Sequence, residues 1–177
     1  MSEEENKAIF RRYVEEVGNK GNLELADKIF DRYISHQSDG RTEERGPEDV
    51  KRFIGEFRQA FPGFRTTIEY QVAEGDMVVT RWRASGTHQG EFRGIAPSGK
   101  PVAITGIGVF RFSNKGKVVE SWDNLDELGM MQQMGSISRT SSAPHDEGGI
   151  SPEEISGRTR AEPPPQGGIS PEEISGG

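Results

Sequence analysis

The forty residues PEDVKRFIGEFRQAFPGFRTTIEYQVAEGDMVVTRWRASG, numbered 47–86, decide the fold class of this chain. Their first part carries apolar residues at helical spacing, and Pro47 and Pro62-Gly63 mark where that helix begins and ends. These apolar residues are Val50, Phe53, Ile54, Phe57 and Phe61. After Gly63 the period becomes two, which is typical of strands. Segments 64–72 and 77–86 are therefore predicted to pair across a turn at 74–76.

The same two periods extend outward from this stretch. Helical spacing predicts a first helix, capped by Ser2 and ended by Gly18 and Gly21, and a shorter second helix from Asn22 that includes Phe30. Residues 33–46 are predicted to be irregular, with a charged loop at 41–46. Strands at 102–112 and 117–122, joined by a hairpin turn, and a closing helical segment at 123–134 complete the pattern. Three helices followed by an antiparallel meander predict the α+β class.

The composition excludes several classes of protein. The chain has no cysteine and three histidines, which rules out a disulfide scaffold, a cysteine-ligated zinc site and a thiol nucleophile. Its net charge of -7 argues against binding to nucleic acid, since phosphate neutralisation requires a basic surface. There is no apolar run long enough to span a membrane and no apolar segment of a secretory signal at the start. We therefore expect a soluble, cytoplasmic protein.

The aromatic residues divide the chain into two parts. All of them precede Gly135, whereas residues 136–177 contain none and are rich in Ser, Gly and Pro. A segment of this composition buries too little apolar surface to offset the entropy of ordering it. The sequence predicts a folded domain at 1–135 and a disordered acidic tail at 136–177. The tail carries the segment GGISPEEISG twice, at 148–157 and 167–176, either as a bivalent docking site for a protein partner or as a duplication without function.

Three side chains are candidates for chemistry. Asp123 follows Trp122 at the end of the last predicted strand, where burial among apolar side chains would raise its pKa and make it a general base. The alternative is that Asp123 is the N-cap of the closing helix. His36 and His88 either bind a substrate oxygen and carry a proton, or serve as polar groups in loops and at the surface. Neither histidine has the spacing of a metal pair, so no metal is expected.

The order of the motifs resembles the SnoaL-like polyketide cyclase family, also called ester cyclases, of the NTF2-like superfamily. The resemblance runs from about residue 6 to 135 and excludes the tail. The motifs that carry it are FRQAFP at 57–62, GTHQGEF at 86–92, PSGK at 97–100, TGI at 105–107 and WDNLDELG at 122–129. A departure is Gly108, because many relatives carry a polar side chain directly after the TGI step.

The resemblance implies a cone-shaped α+β fold, with three N-terminal helices packed on a curved antiparallel sheet around an apolar pocket, and a homodimer. It also implies an intramolecular aldol condensation of an aromatic polyketide ester without a cofactor. By the same comparison Asp123 matches the acidic residue, and His36 and His88 face the pocket. The expected pocket residues are Tyr13, Tyr33, Phe57, Trp82, Phe110 and Trp122. The alternative, which Gly108 favours, is a protein that binds a small hydrophobic ligand without chemistry.

Overall fold

The computed structural model describes residues 1–137. The first helix, α1, spans Glu3–Arg12 and continues as a π-helical segment over Tyr13–Asn19. It begins with a capping box, in which the Ser2 hydroxyl accepts from the Glu5 N–H and the Glu5 carboxylate accepts from the Ser2 N–H. All but the first two residues of the predicted tail, including both copies of the repeat, lie outside the described residues.

The segment that follows α1 differs most from its prediction. The second helix is only a 3-10 turn at Leu23–Leu25 followed by α2 at Ala26–Ile29. Phe30 starts strand β1, Phe30–His36, which pairs antiparallel with β2, Thr42–Arg45. The prediction of an irregular segment at 33–46 is therefore wrong. β1 also pairs with a strand more than 80 residues later, and such long-range pairing cannot be read from local spacing.

The later elements follow their predictions closely. Helix α3 spans Pro47–Ala60, and strands β3 to β6 span Arg65–Glu74, Met77–Thr87, Pro101–Phe112 and Val118–Leu125. The last helix, α4, spans Glu127–Met134 and is shorter than predicted. The α+β class is confirmed.

The six strands form one sheet in the order β2-β1-β6-β5-β4-β3. The sheet is antiparallel except between β1 and β6, which run parallel, so the expectation of an antiparallel sheet needs that correction. Register shifts interrupt the β1–β6, β3–β4 and β5–β6 pairs, and such bulges bend a sheet.

The buried side chains form two apolar clusters. The first joins α1, α2 and α3 to the sheet and includes Phe10, Phe30, Tyr33 and Phe110. The second packs the end of α3 and helix α4 against β4 and β5, and it includes Phe61, Phe92 and Ile104. Within residues 1–137, no helix is both long and apolar enough to cross a membrane.

Candidate active site

A cavity of about 330 Å³ lies between one face of the sheet, here called the inner face, and the helices. This volume is at the small end of the range for small-molecule sites. Both apolar clusters contribute to its wall, which includes ten aromatic residues. Among the lining rings are Phe10, Phe30, Phe57, Trp82, Phe92 and Phe110.

Strand alternation places Asp123 in this cavity. Successive side chains of β6 point to opposite faces of the sheet, so Ser121, Asp123 and Leu125 face the cavity. Gly108 lies opposite Asp123 on β5. A Cβ atom at position 108 would come within 2.9 Å of Asp123 Oδ1 and 2.5 Å of the Phe110 ring. The absence of a side chain at Gly108 therefore makes room for the carboxyl.

Burial raises the pKa of the Asp123 carboxyl to about 6, and the positive charge of Arg45 partly opposes this effect. Asp123 is nevertheless an exposed residue by its accessible surface, because it lines the cavity and does not belong to the packed core. In the described part of the chain, no side chain donates a hydrogen bond to this carboxyl. Asp123 thus titrates near neutral pH, where one carboxyl can both accept and return a proton.

The interpretation of Asp123 as a helix cap is wrong. Strand β6 continues through Leu125, and the N-cap of α4 is Asp126. The Asp126 carboxylate accepts a hydrogen bond of 2.8 Å from the Gly129 N–H. Because Asp126 performs the capping, the carboxyl of Asp123 is free of that role.

Two tyrosines line the cavity with Asp123. Burial raises the pKa of Tyr13. Burial also raises the pKa of Tyr33, to about 12. The negative charge of Asp123 contributes to both shifts. Both phenols therefore stay protonated near neutral pH and are available as hydrogen-bond donors. The other expected pocket residues that line the cavity are Phe57, Trp82 and Phe110.

Trp122 and His36 lie on the opposite, outer face of the sheet. The two residues are paired in register, and their rings stack with centroids 4.7 Å apart. His36 Nε2 lies 2.9 Å from Glu120 Oε1, which is also on the outer face. The expectation that both face the pocket is wrong for one reason: their neighbours Ser35 and Asp123 point inward, and alternation turns Trp122 and His36 outward.

His88 is fully buried but does not line the cavity. Its ring stacks on Phe61, with centroids 5.2 Å apart, beside the second apolar cluster. The Ser98 N–H donates to His88 Nδ1 over 3.3 Å. His88 thus joins the end of β4 to the turn before β5, and the expectation that it faces the pocket is also wrong.

Sequence reasoning missed several polar residues of the cavity, among them Ser35, Ser121 and Arg45. Ser35 and Ser121 are buried partners across the β1–β6 pair, and Arg45 ends β2 opposite Tyr33. Ser35 and Arg45 belong to β1 and β2, in the segment 33–46 that was predicted to be irregular. Among residues 1–137, no group of three or more histidine or acidic side chains is arranged to hold a metal ion.

The sequence and the fold were compared with those of known proteins. The sequence matches the family described as SnoaL-like polyketide cyclase over residues 8–134. Curated proteins give no match.

Several solved structures share the fold. AclR from Streptomyces galilaeus, a proposed hydroxylase, has 27% identity and a TM-score of 0.67, covering 81% of this chain and 87% of that chain. A proposed polyketide cyclase from Acidithiobacillus ferrooxidans has 27% identity and a TM-score of 0.65, and the match covers 75% of this chain and 95% of that chain. IdmH from Streptomyces antibioticus, also a proposed polyketide cyclase, has 28% identity and a TM-score of 0.61, and the match covers 73% of this chain and 98% of that chain.

Proposed function

This chain belongs to the SnoaL-like polyketide cyclase family, as its motifs predicted, and from that premise we propose that it closes a ring in a polyketide ester by acid–base catalysis. The reaction is an intramolecular aldol-type ring closure, with Asp123 as the general base and then the general acid. The substrate is an apolar carbonyl compound with an acidic C–H bond. The observation that carries this proposal is a carboxyl of raised pKa in an apolar, aromatic cavity.

The proposed reaction needs only Asp123 and the substrate. The Asp123 carboxylate takes a proton from the carbon between two carbonyl groups, and the electron pair of that C–H bond becomes an enolate. The enolate carbon attacks another, more distant carbonyl carbon of the same molecule. A C–C bond forms, the π bond of that carbonyl breaks, and its electron pair makes the oxygen an alkoxide. Asp123 then returns its proton to the alkoxide oxygen. The carboxyl ends as it began, and a pKa near 6 suits both transfers.

The two tyrosines and the aromatic wall support the same chemistry. Tyr13 and Tyr33 are protonated near neutral pH and can hydrogen-bond to a carbonyl oxygen as negative charge develops there. The rings around the cavity bury a flat, apolar substrate and limit the water that would compete for the enolate.

The first step can be tested without knowing the natural substrate. Protein in D₂O is incubated with aromatic β-keto esters of different sizes, and incorporation of deuterium at the acidic carbon is followed by mass spectrometry. Ring-closed products are sought in the same samples. We expect the wild-type protein to accelerate exchange for at least one ester, and Asp123→Asn to lower that rate by about 10²-fold or more.

Asp31→Asn is the matched control, because Asp31 is an exposed aspartate of β1 that does not line the cavity. It should exchange deuterium like the wild type, and circular dichroism should show that all three proteins are folded. Equal exchange by wild type and Asp123→Asn would contradict the proposal. Saturable binding of an ester without exchange or product would instead support a ligand-binding protein.

A further inference from the structure

Three arginines line the cavity, and two of them are held by the fold. The Arg58 guanidinium donates to the backbone carbonyl oxygens of Gly18, at 2.9 Å, and Asn19. Arg93 pairs with Glu127 at 3.3 Å and lies over the Phe92 ring. Backbone carbonyls hold Arg58, and Glu127, the partner of Arg93, also lines the cavity. Arg45 is the arginine whose acidic partner lies outside the cavity lining.

Arg45 differs from Arg58 and Arg93 in two ways: where its partner lies, and which cavity residues its charge affects. Its Nη2 lies 2.8 Å from Glu43 Oε2, and both side chains are more than a third exposed. Glu43 does not line the cavity, so this pair lies at its outer rim. Exposed ion pairs contribute little to stability, because water solvates both groups well. The positive charge of Arg45 nevertheless acts on Asp123 and Tyr33 inside the cavity.

Charge moves within the cavity when Asp123 takes a proton. The negative charge leaves the carboxylate and appears on the enolate oxygen of the substrate. A cation that stabilises the first arrangement can stabilise the second at little cost, because its own position need not change. The other ionisable side chains that face the cavity are Tyr13, Tyr33, Asp49, Arg58, Arg93 and Glu127. Asp49 is already bound to the Gly46 N–H and to Arg52.

We propose, on the basis of the function proposed above, that Arg45 is a catalytic residue that binds the enolate oxygen through its guanidinium group. When the enolate forms, the guanidinium donates to its oxygen from Nη1, while Nε and Nη2 stay bound to Glu43. β2 supplies this group because it lies at the edge of the sheet, next to the strand that carries Tyr33.

The test uses 2-naphthol, an apolar aromatic alcohol whose anion resembles an enolate. The parent protein is Asp123→Asn, which imitates the protonated carboxyl, and absorbance spectra give the pKa of the bound naphthol. We expect this pKa to be about one unit higher when Arg45→Gln is added, since the opposite charge is lost. Arg45→Lys should give an intermediate value.

Arg41→Gln is the matched control, because Arg41 pairs with Asp39 at the same i–2 spacing in the same hairpin and does not line the cavity. It should leave the pKa of bound naphthol unchanged. The same pKa in the parent and in Arg45→Gln would overturn the proposal, and so would failure of the parent to bind naphtholate. Because the parent lacks the base, this result is independent of deuterium exchange by Asp123, which tests the proposed function.

Discussion

Asp123 and Trp122 are adjacent in sequence but face opposite sides of the sheet. The carboxyl enters an apolar cavity, whereas the indole stacks on His36 at the outer face. The cavity disfavours the carboxylate by burying it, and this raises the pKa of Asp123. A group that makes the folded state less stable when ionised is typical of catalytic positions, where activity and stability compete.

The first prediction concerns Asp123 and pH. The folded-state pKa of about 6 lies above the ordinary value of 3.8, so between these values the folded protein binds more protons than the unfolded chain. Ionisation of Asp123 therefore lowers stability as pH rises from about 4 to about 6. Asp123→Asn avoids this loss. The Tm of the variant minus the Tm of the wild type should therefore increase from pH 4 to pH 6 and remain at the higher value at pH 7.5.

Thermal denaturation of both proteins from pH 4 to pH 8, followed by circular dichroism, measures the difference. Asp31→Asn, which removes an exposed carboxyl of β1, should show no comparable trend. A difference in Tm between Asp123→Asn and the wild type that is constant over the whole range would show that the carboxyl is not buried as described.

At the scale of elements, α3 has stabilising residues at its N-terminus and a destabilising glycine in its middle. The Asp49 carboxylate accepts a hydrogen bond from the Gly46 N–H at its start, and Pro47 occupies the first turn. Gly55 lies in the middle of the helix, where glycine costs backbone entropy. A Cβ atom at position 55 would meet only Leu23 Cδ1, at 3.9 Å, which is an ordinary contact.

Gly55→Ala should therefore raise the free energy of unfolding by about 0.5–1 kcal/mol. Urea denaturation of the purified variant measures this change. Gly108→Ala is the contrasting variant, because its new methyl group would lie 2.5 Å from the Phe110 ring and lower stability by about 1–3 kcal/mol. Equal effects of the two substitutions would contradict the packing described for β5.

At the scale of the whole molecule, the outer face of the sheet carries both apolar and charged side chains. Four large hydrophobic side chains on this face are exposed, namely Ile34, Tyr70, Val72 and Ile107. Charges of both signs accompany them, including the Arg111–Glu120 pair and the Arg81–Glu69 pair. A surface with apolar patches and both charges can pair with a second copy of itself about a two-fold axis.

We therefore predict that two copies of this chain associate through this outer face. Light scattering coupled to gel filtration should give about twice the chain mass of 19.6 kDa for the wild type. Ile107→Glu places a charge at the centre of the face and should yield a monomer. Leu128→Glu changes an exposed leucine of α4 and should remain dimeric. A dimeric Ile107→Glu would assign the interface to another surface.

The sequence by itself determined the α+β class, helices α1 and α3, strands β3 to β6 and the family. These features depend on local spacing: an apolar period of 3.6 or two, a proline or glycine at a boundary, and motifs in a given order. Asp123 was also selected as a candidate from the sequence, although the spacing there favoured a helix cap. Its position one residue after Trp122 could not say which of the two side chains would point inward.

Only the tertiary structure decided the rest of the candidate site. β1 and β2 form because β6, more than 80 residues away, supplies hydrogen-bonding partners for β1, and no local pattern reports that pairing. The register of this pairing then turns Ser35, Ser121 and Asp123 inward and His36 and Trp122 outward. It also brings Arg45 to the cavity from a segment that looked irregular. The side to which a strand residue points is a property of the assembled sheet, because a shift of one residue reverses it.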